Sequence, residues 1–282
     1  MDAVLLAVSS AALFGGMTVA LRSPLARGTS AELGALLTVL PALAVAAVAA
    51  AVRFDGNVTG VWPFALAGLL GPGLSQTLFT LGIRDAGPAR TSVTVGTAPL
   101  FSVAIALVFL GEPVVAGVLA GAVLIVAGGL LLIGERERPR HVKRIGLIYA
   151  LAATVVFATR DNLARSVAVD TDVSPQLATL AILLSGTLVM VCWVAVARQP
   201  LSLAPLRRFA LPGILFGLSY LCLFEAFYRG PVTVVSPLVA TESLWGVLFS
   251  AMFFRRVEVI GVRLVAGAGL IVAGGVLIGV FR

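Results

Sequence analysis

Residues 120–131 read Ala-Gly-Ala-Val-Leu-Ile-Val-Ala-Gly-Gly-Leu-Leu, and residues 266–277 read Ala-Gly-Ala-Gly-Leu-Ile-Val-Ala-Gly-Gly-Val-Leu. The two segments differ at two of twelve positions. Matches continue outward from them in the same order. Glu112 and Glu258 precede the two segments at equal distance. Phe64-Ala-Leu and Gly73-Leu-Ser recur as Phe209-Ala-Leu and Gly217-Leu-Ser. Gly87-Pro88 recurs as Gly230-Pro231. Compositional bias toward Ala, Val and Gly produces short matches, but not a series in one order. The chain therefore reads as a duplicated unit, with residues 1–140 as the first copy and 141–282 as the second.

Each copy is too apolar for water. Of 282 residues, 60% are hydrophobic and 12% charged, and mean hydropathy is +1.09. A soluble domain is about one quarter charged. A bilayer accepts an apolar exterior, provided that every backbone polar group is satisfied within helices. A helix of about 20 apolar residues crosses the hydrocarbon core. Ten such runs lie near 3–21, 31–52, 62–82, 89–109, 114–134, 145–166, 174–197, 209–228, 231–253 and 258–280. The fold expected is an all-α integral membrane protein of ten transmembrane helices. Each copy holds an odd number of spans, so the second enters the membrane the other way up. Two inverted five-helix repeats around a central site are an architecture of many secondary transporters.

The net charge of +7 sits in the gaps between runs. This pattern sets membrane orientation and argues against nucleic acid binding. The odd-numbered gaps carry Arg22, Arg27, Arg84, Arg90, the 136–144 cluster, Arg198, Arg207, Arg208, Arg255 and Arg256. The even gaps and termini carry Arg53, Arg165, Arg229 and Arg282. The positive-inside rule then places the odd gaps in the cytoplasm and both termini outside. His141 is the single histidine, and no Walker A, nucleophile-elbow or HExxH motif occurs. An enzyme, an ATP-driven pump and a cofactor or metal site are therefore not expected. Cys192 and Cys222 fall in apolar runs and read as small buried hydrophobes.

Charge inside a span is costly and marks function or a compensating partner. Glu242 falls near the middle of run nine, between Thr241 and Ser243 and one turn before Trp245. It either lines a central cavity, holding a substrate amine or a proton, or pairs structurally with Arg160. An acid beside an aromatic ring suits an ammonium group. Arg160 and Asp161 lie in the second half of run six, close enough to its end for arginine to snorkel. Asp161 with Arg165, and Glu225 with Arg229, have the i,i+4 spacing of local ion pairs. Arg160 can also reach Glu225 or Glu242. Gln76 and Ser75, with Tyr220 and Ser219 at corresponding places in the repeat, are uncharged groups for orienting substrate or for bonding helices together. Glu112 reads as a helix-end cap or gate. The pairs Gly117/Gly121 and Gly213/Gly217 read as helix-packing glycines within the bundle.

The chain resembles EamA-type members of the drug/metabolite transporter superfamily along its length. The resemblance rests on the five-plus-five spans, Phe14-Gly15 and Phe157-Ala158 in the two first helices, Leu110-Gly-Glu112, and the glycine-rich fifth and tenth runs. Phenylalanine stands where that family often has tryptophan, and Phe254-Arg-Arg-Val-Glu258 departs from its Leu-Gly-Glu. The resemblance implies a plasma-membrane exporter or exchanger of small polar metabolites, amino acids among them. The expected state is a monomer or a homodimer in the bilayer, with a proton as one candidate coupling ion. It also implies termini inside, opposite to the charge count. A channel or lipid-handling protein, or a non-transporting scaffold, are the alternatives. A channel needs a continuous polar lining that these spans lack, and a scaffold needs no central acid.

Overall fold

The computed structural model describes residues 3–53, 58–109, 115–133, 143–169, 171–230, 235, 238–254 and 261–281. Leu110-Gly-Glu112, Glu258, His141 and Arg138 lie outside them. Every regular element among the described residues is helical. In chain order they are α1 (Ala3–Ala26), α2 (Ala31–Val52), α3 (Trp62–Gly68), a π-helical turn (Leu69–Leu74) and α4 (Ser75–Ala86). Next come α5 (Pro88–Val95), α6 (Ala98–Phe109), α7 (Ala116–Ile133) and α8 (Arg144–Val169). The last are α9 (Pro175–Val196), α10 (Leu206–Arg229), α11 (Glu242–Phe253) and α12 (Val262–Phe281).

Among the described residues, seven helical stretches are long and apolar enough to cross a membrane. These are α1, α2, the α3–α4 run, α8, α9, α10 and α12. The other apolar stretches are shorter or interrupted. Run four divides at Gly96-Thr97 into α5 and α6. Pro99, at the second position of α6, suits a helix start because its missing N–H has no partner there anyway. Run three is interrupted inside one continuous stretch: Gly71 leaves helical geometry, at φ −141° and ψ 118°. Run nine contributes α11, whose first residue is Glu242, just after the turn at Ala240-Thr241.

Local signals set the helix starts. Ser30 caps α2 by accepting from the Leu33 N–H, and Ser174 caps α9 by accepting from the Leu177 N–H. Each occupies one otherwise unpaired donor of its helix. Buried hydroxyls turn back on their own helices. Thr18, Thr38, Thr80, Thr154 and Thr187 each donate to the carbonyl four residues earlier. Large apolar side chains, among them Val48, Trp62, Leu188, Val196 and Val262, stay on the outside. That inversion of the soluble pattern fits a lipid-facing surface.

The packing partners repeat. Helix α1 packs on α10, and α8 packs on α4. Helix α10 also packs on α2, and α9 packs on α3. Helices α2 and α9 meet, as do α5 and α11, and α7 and α12. The α7–α12 seam uses the duplicated segments themselves. A Cβ at Gly121 would lie 2.6 Å from the Gly274 carbonyl oxygen, and one at Gly128 would lie 2.6 Å from that of Gly267. Ascending numbers on one helix meet descending numbers on the other, so the two helices run antiparallel. Only glycine lets the backbones come so close. Gly117 packs on Phe281, and Gly213 and Gly217 pack on Pro41 and Ala42 of α2. All four glycines of the small-residue pairs thus serve packing within the chain.

A charged tie sits at one end of the bundle. The Arg84 guanidinium donates to both carboxylate oxygens of Asp85, at 3.2 and 2.8 Å. The Lys143 ammonium lies 3.4 Å from the same carboxylate, and the Lys143 N–H donates to the Asp85 carbonyl at 2.7 Å. This joins the end of α4 to the start of α8, next to the linker between the repeats.

Candidate functional site

The breaks in runs four and nine open onto one place. A cavity of about 40 Å³ lies between α1, α8, α10 and the residues flanking both breaks. Ser10 and Phe14 come from α1, and Val95 and Ala98 from either side of the first break. Phe157, Arg160 and Asp161 come from α8, Ser219 and Tyr220 from α10, and Val239 and Glu242 from the second break. Non-helical backbone within a membrane protein is tolerated where it is buried in protein or lines a cavity, and here cavity-lining residues flank each break.

Arg160 is central to the charge arrangement. It is 2% exposed, so it does not snorkel. Helix α8 continues nine residues past it to Val169, about 13 Å of helical rise. Its Nε lies 2.9 Å from Asp161 Oδ1. The N–H is poorly aimed at that oxygen, so Arg160 Nε and Nη1 and Asp161 Oδ1 have no well-formed hydrogen bond among the described residues. The guanidinium carbon sits 5.4 Å from the Phe157 ring centroid and 4.9 Å from that of Tyr220. Rings at that range attract a cation through their quadrupoles. Below the charges, Phe14 contacts Phe79, Phe157 and Phe216 at centroid distances of 5.1 to 6.1 Å. These rings fix the positions of α1, α4, α8 and α10 around the charges.

Glu242 is 5% exposed and begins α11. The sequence placed it in the middle of a continuous span. It lies instead at the start of α11, after a turn whose Ala240 and Thr241 carbonyls already accept the Ser243, Leu244 and Trp245 N–H groups, and the helix dipole there favours negative charge. Glu242 and Arg160 share the cavity, while the close ion contact of Arg160 is its neighbour Asp161. On the wall beside them, Ser10 and Ser219 exchange hydrogen bonds. Each hydroxyl donates to the other's carbonyl at 2.9 Å, which ties α1 to α10.

The remaining sequence candidates separate from this centre. Glu225 forms an ion pair with Arg229 and accepts from Gln176 Nε2 at 3.2 Å, away from the cavity lining. Asp161 does not pair with Arg165, because Arg165 reaches over to donate to the Phe227 carbonyl. Trp245 turns toward Phe249, at 5.7 Å between ring centroids, and its backbone packs against Gly15. It is not among the residues that line the cavity with Glu242. Gln76 is fully buried outside the cavity, and neither polar atom of its side-chain amide has a partner among the described residues. Ser75 lies near Gly71, which also packs against Arg160. Cys192 is exposed on α9 and Cys222 is partly buried; both are free thiols. Arg90, counted above as a gap charge, is fully buried in α5. Ser10, Val95, Ala98 and Val239 are site residues that the sequence did not single out.

The EamA-like transporter family matches residues 1–134 and again 144–280. This chain belongs to that family. It is thus a multi-pass membrane protein of a family of membrane transporters. No curated protein matches the sequence. A solved crystal structure, described only as that of a protein, shares the fold with a TM-score of 0.70. It is 19% identical to this EamA-family chain, over 98% of this chain and 95% of that one.

Proposed function

We propose that this EamA-family protein is a secondary transporter, an exporter or exchanger of a small polar metabolite such as an amino acid. It works by alternating access around the Arg160–Glu242 cavity. The observation that carries the reading is the meeting of Arg160, Asp161 and Glu242 in one cavity flanked by two helix breaks. Helix breaks beside buried charge are a recurrent way of building a midplane substrate site. Glu242 is the binding group for a substrate ammonium or a coupling proton. Arg160 holds a substrate carboxylate or neutralises the acids when substrate is absent. Tyr220 and Ser219 orient the cargo.

Alternating access follows from ten spans arranged as inverted repeats, 1–140 and 141–282. Exchanging the halves turns the α1–α10 contact into α8–α4 and the α10–α2 contact into the α3–α9 contact, while α7–α12 maps onto itself. Two arrangements of the halves then have comparable contacts, one open to each side. About 40 Å³ holds a few waters and no metabolite. Admission of substrate therefore requires the halves to part. The site is chemically one-sided, since Arg160, Asp161 and Glu242 all belong to the second repeat. The test is uptake by purified protein in proteoliposomes, across a panel of amino acids and other polar metabolites, with and without a pH gradient. Saturable uptake of at least one compound is expected. Passive leak that never saturates, with any compound, would instead support a channel.

A further inference from the structure

A second concavity lies on the outer face of the bundle, away from the buried charges. It is an open groove of about 520 Å³ between α1, α10 and α11. Its walls are apolar, with Leu215, Phe249 and Phe253 among them, and at one end stand Arg27 and Arg208. Both arginines are exposed. Arg27 follows the last residue of α1, and Arg208 is in the first turn of α10. Two cations from different helices thus share one mouth, and neither has a side-chain ion pair among the described residues. The dimensions fit one leaflet. On α1 the groove runs from Arg27 to Gly16, about 16 Å of helical rise, and half a hydrocarbon core is about 15 Å.

We propose that this groove holds one anionic phospholipid, its phosphate between Arg27 and Arg208 and an acyl chain against Leu215, Phe249 and Phe253. A basic pocket between transmembrane helices is the expected form of a headgroup site. An acyl chain fits the apolar walls, which a free phosphate would leave exposed. The mouth lies among the arginine-bearing gaps, the face that the charge rule turns to the anionic cytoplasmic leaflet. The groove shares no lining residue with the central cavity.

The test has two arms. Native mass spectrometry of the purified protein, titrated with phosphatidylglycerol or phosphatidylcholine, should show one retained phosphatidylglycerol at about tenfold lower lipid concentration. Arg27→Gln/Arg208→Gln should abolish that preference, while Arg53→Gln/Arg198→Gln should keep it. Ser23→Trp, which fills the groove and keeps both arginines, should lower retention of both lipids. In the second arm, wild-type protein in liposomes with a diazirine-bearing phosphatidylglycerol should crosslink within residues 16–27, 208–215 and 249–254. This arm decides the matter even where a variant fails to fold. Equal retention of the two lipids, an unchanged double variant, crosslinks confined elsewhere, or displacement of the lipid by equimolar glycerol phosphate would each overturn the proposal.

Discussion

Replacing Arg160 by methionine keeps a long apolar stem and removes the charge, leaving Asp161 and Glu242 in the cavity without their cation. At the 2.9 Å separation of Nε and Asp161 Oδ1, the gross attraction is about 6 kcal/mol for an effective dielectric of about 20. The Phe157 and Tyr220 rings add roughly 1 kcal/mol each. Desolvation of the arginine offsets much of this, and breaking a buried pair from one side typically costs about 3–5 kcal/mol. The Asp161 side chain keeps 25% exposure, so the pair is only partly buried and the lower end applies. A loss of about 3 kcal/mol corresponds to a Tm fall of roughly 6–12 °C. Thermal unfolding in detergent should show that fall for Arg160→Met. Arg160→Lys should fall less, because it keeps the charge but not the planar fork. Arg160→Met/Asp161→Asn should regain more than half of the loss. A single variant within about 2 °C of wild type, or a double variant no better than the single, would refute the claim that this pair is a mutually dependent buried unit.

The glycine seam gives a sharper contrast. Gly121→Val drives side-chain atoms into the Gly274 carbonyl and Ile278, whereas a Cβ at Gly129 meets nothing within 4 Å. Thermal unfolding should show a loss of about 2 kcal/mol or more for Gly121→Val and almost none for Gly129→Val. Asp85→Asn should lower Tm by a few degrees, because its buried carboxylate loses the charge that Arg84 pairs with. Lys143→Met should barely move it, since the Lys143 side chain is 68% exposed and such pairs contribute little. A single cysteine at position 138, with Cys192 and Cys222 replaced, should resist an impermeant thiol reagent in intact cells. Strong labelling would reverse the orientation drawn from the charge count.

The apolar exterior and the duplication were legible because they are written in composition and in repeated segments. Ala120–Leu131 and Ala266–Leu277 announce the seam, and Gly121, Gly128, Gly267 and Gly274 are its close backbone contacts. The breaks were less legible, since hydropathy does not sense where a helix stops. Gly71-Pro72-Gly73 and Gly96-Thr97-Ala98-Pro99 carry stop and start signals that a window average smooths away. Around Glu242 the signal is fainter, with Ser236-Pro237 as the nearest turn-forming pair. The sequence therefore marks Glu242 as a buried acid but puts it in a helix interior, where the structure has a helix start. Glu225, Trp245 and Gln76 carry suitable chemistry at the right depth, but none of them lines the cavity. Which way a side chain turns around a helix depends on its neighbours, and Gln176 beside Glu225 and Gly15 beside Trp245 are distant from them in sequence. The pairing of Arg160 with Asp161 rather than Glu242 likewise depends on side-chain direction, which spacing alone leaves open.

Glu242 is the residue on which the proposed transport site depends most. Glu242→Gln keeps the shape of the side chain and most of its hydrogen-bonding capacity while removing its charge. The direct measurement is counterflow exchange in proteoliposomes, using whichever compound the wild-type protein accumulates, with the variant matched for elution profile and Tm. The expected result is exchange lowered at least tenfold by Glu242→Gln, with any dependence on pH between about 5 and 8 flattened as the carboxyl is lost. Exchange equal to that of wild type in a well-folded Glu242→Gln protein would contradict it.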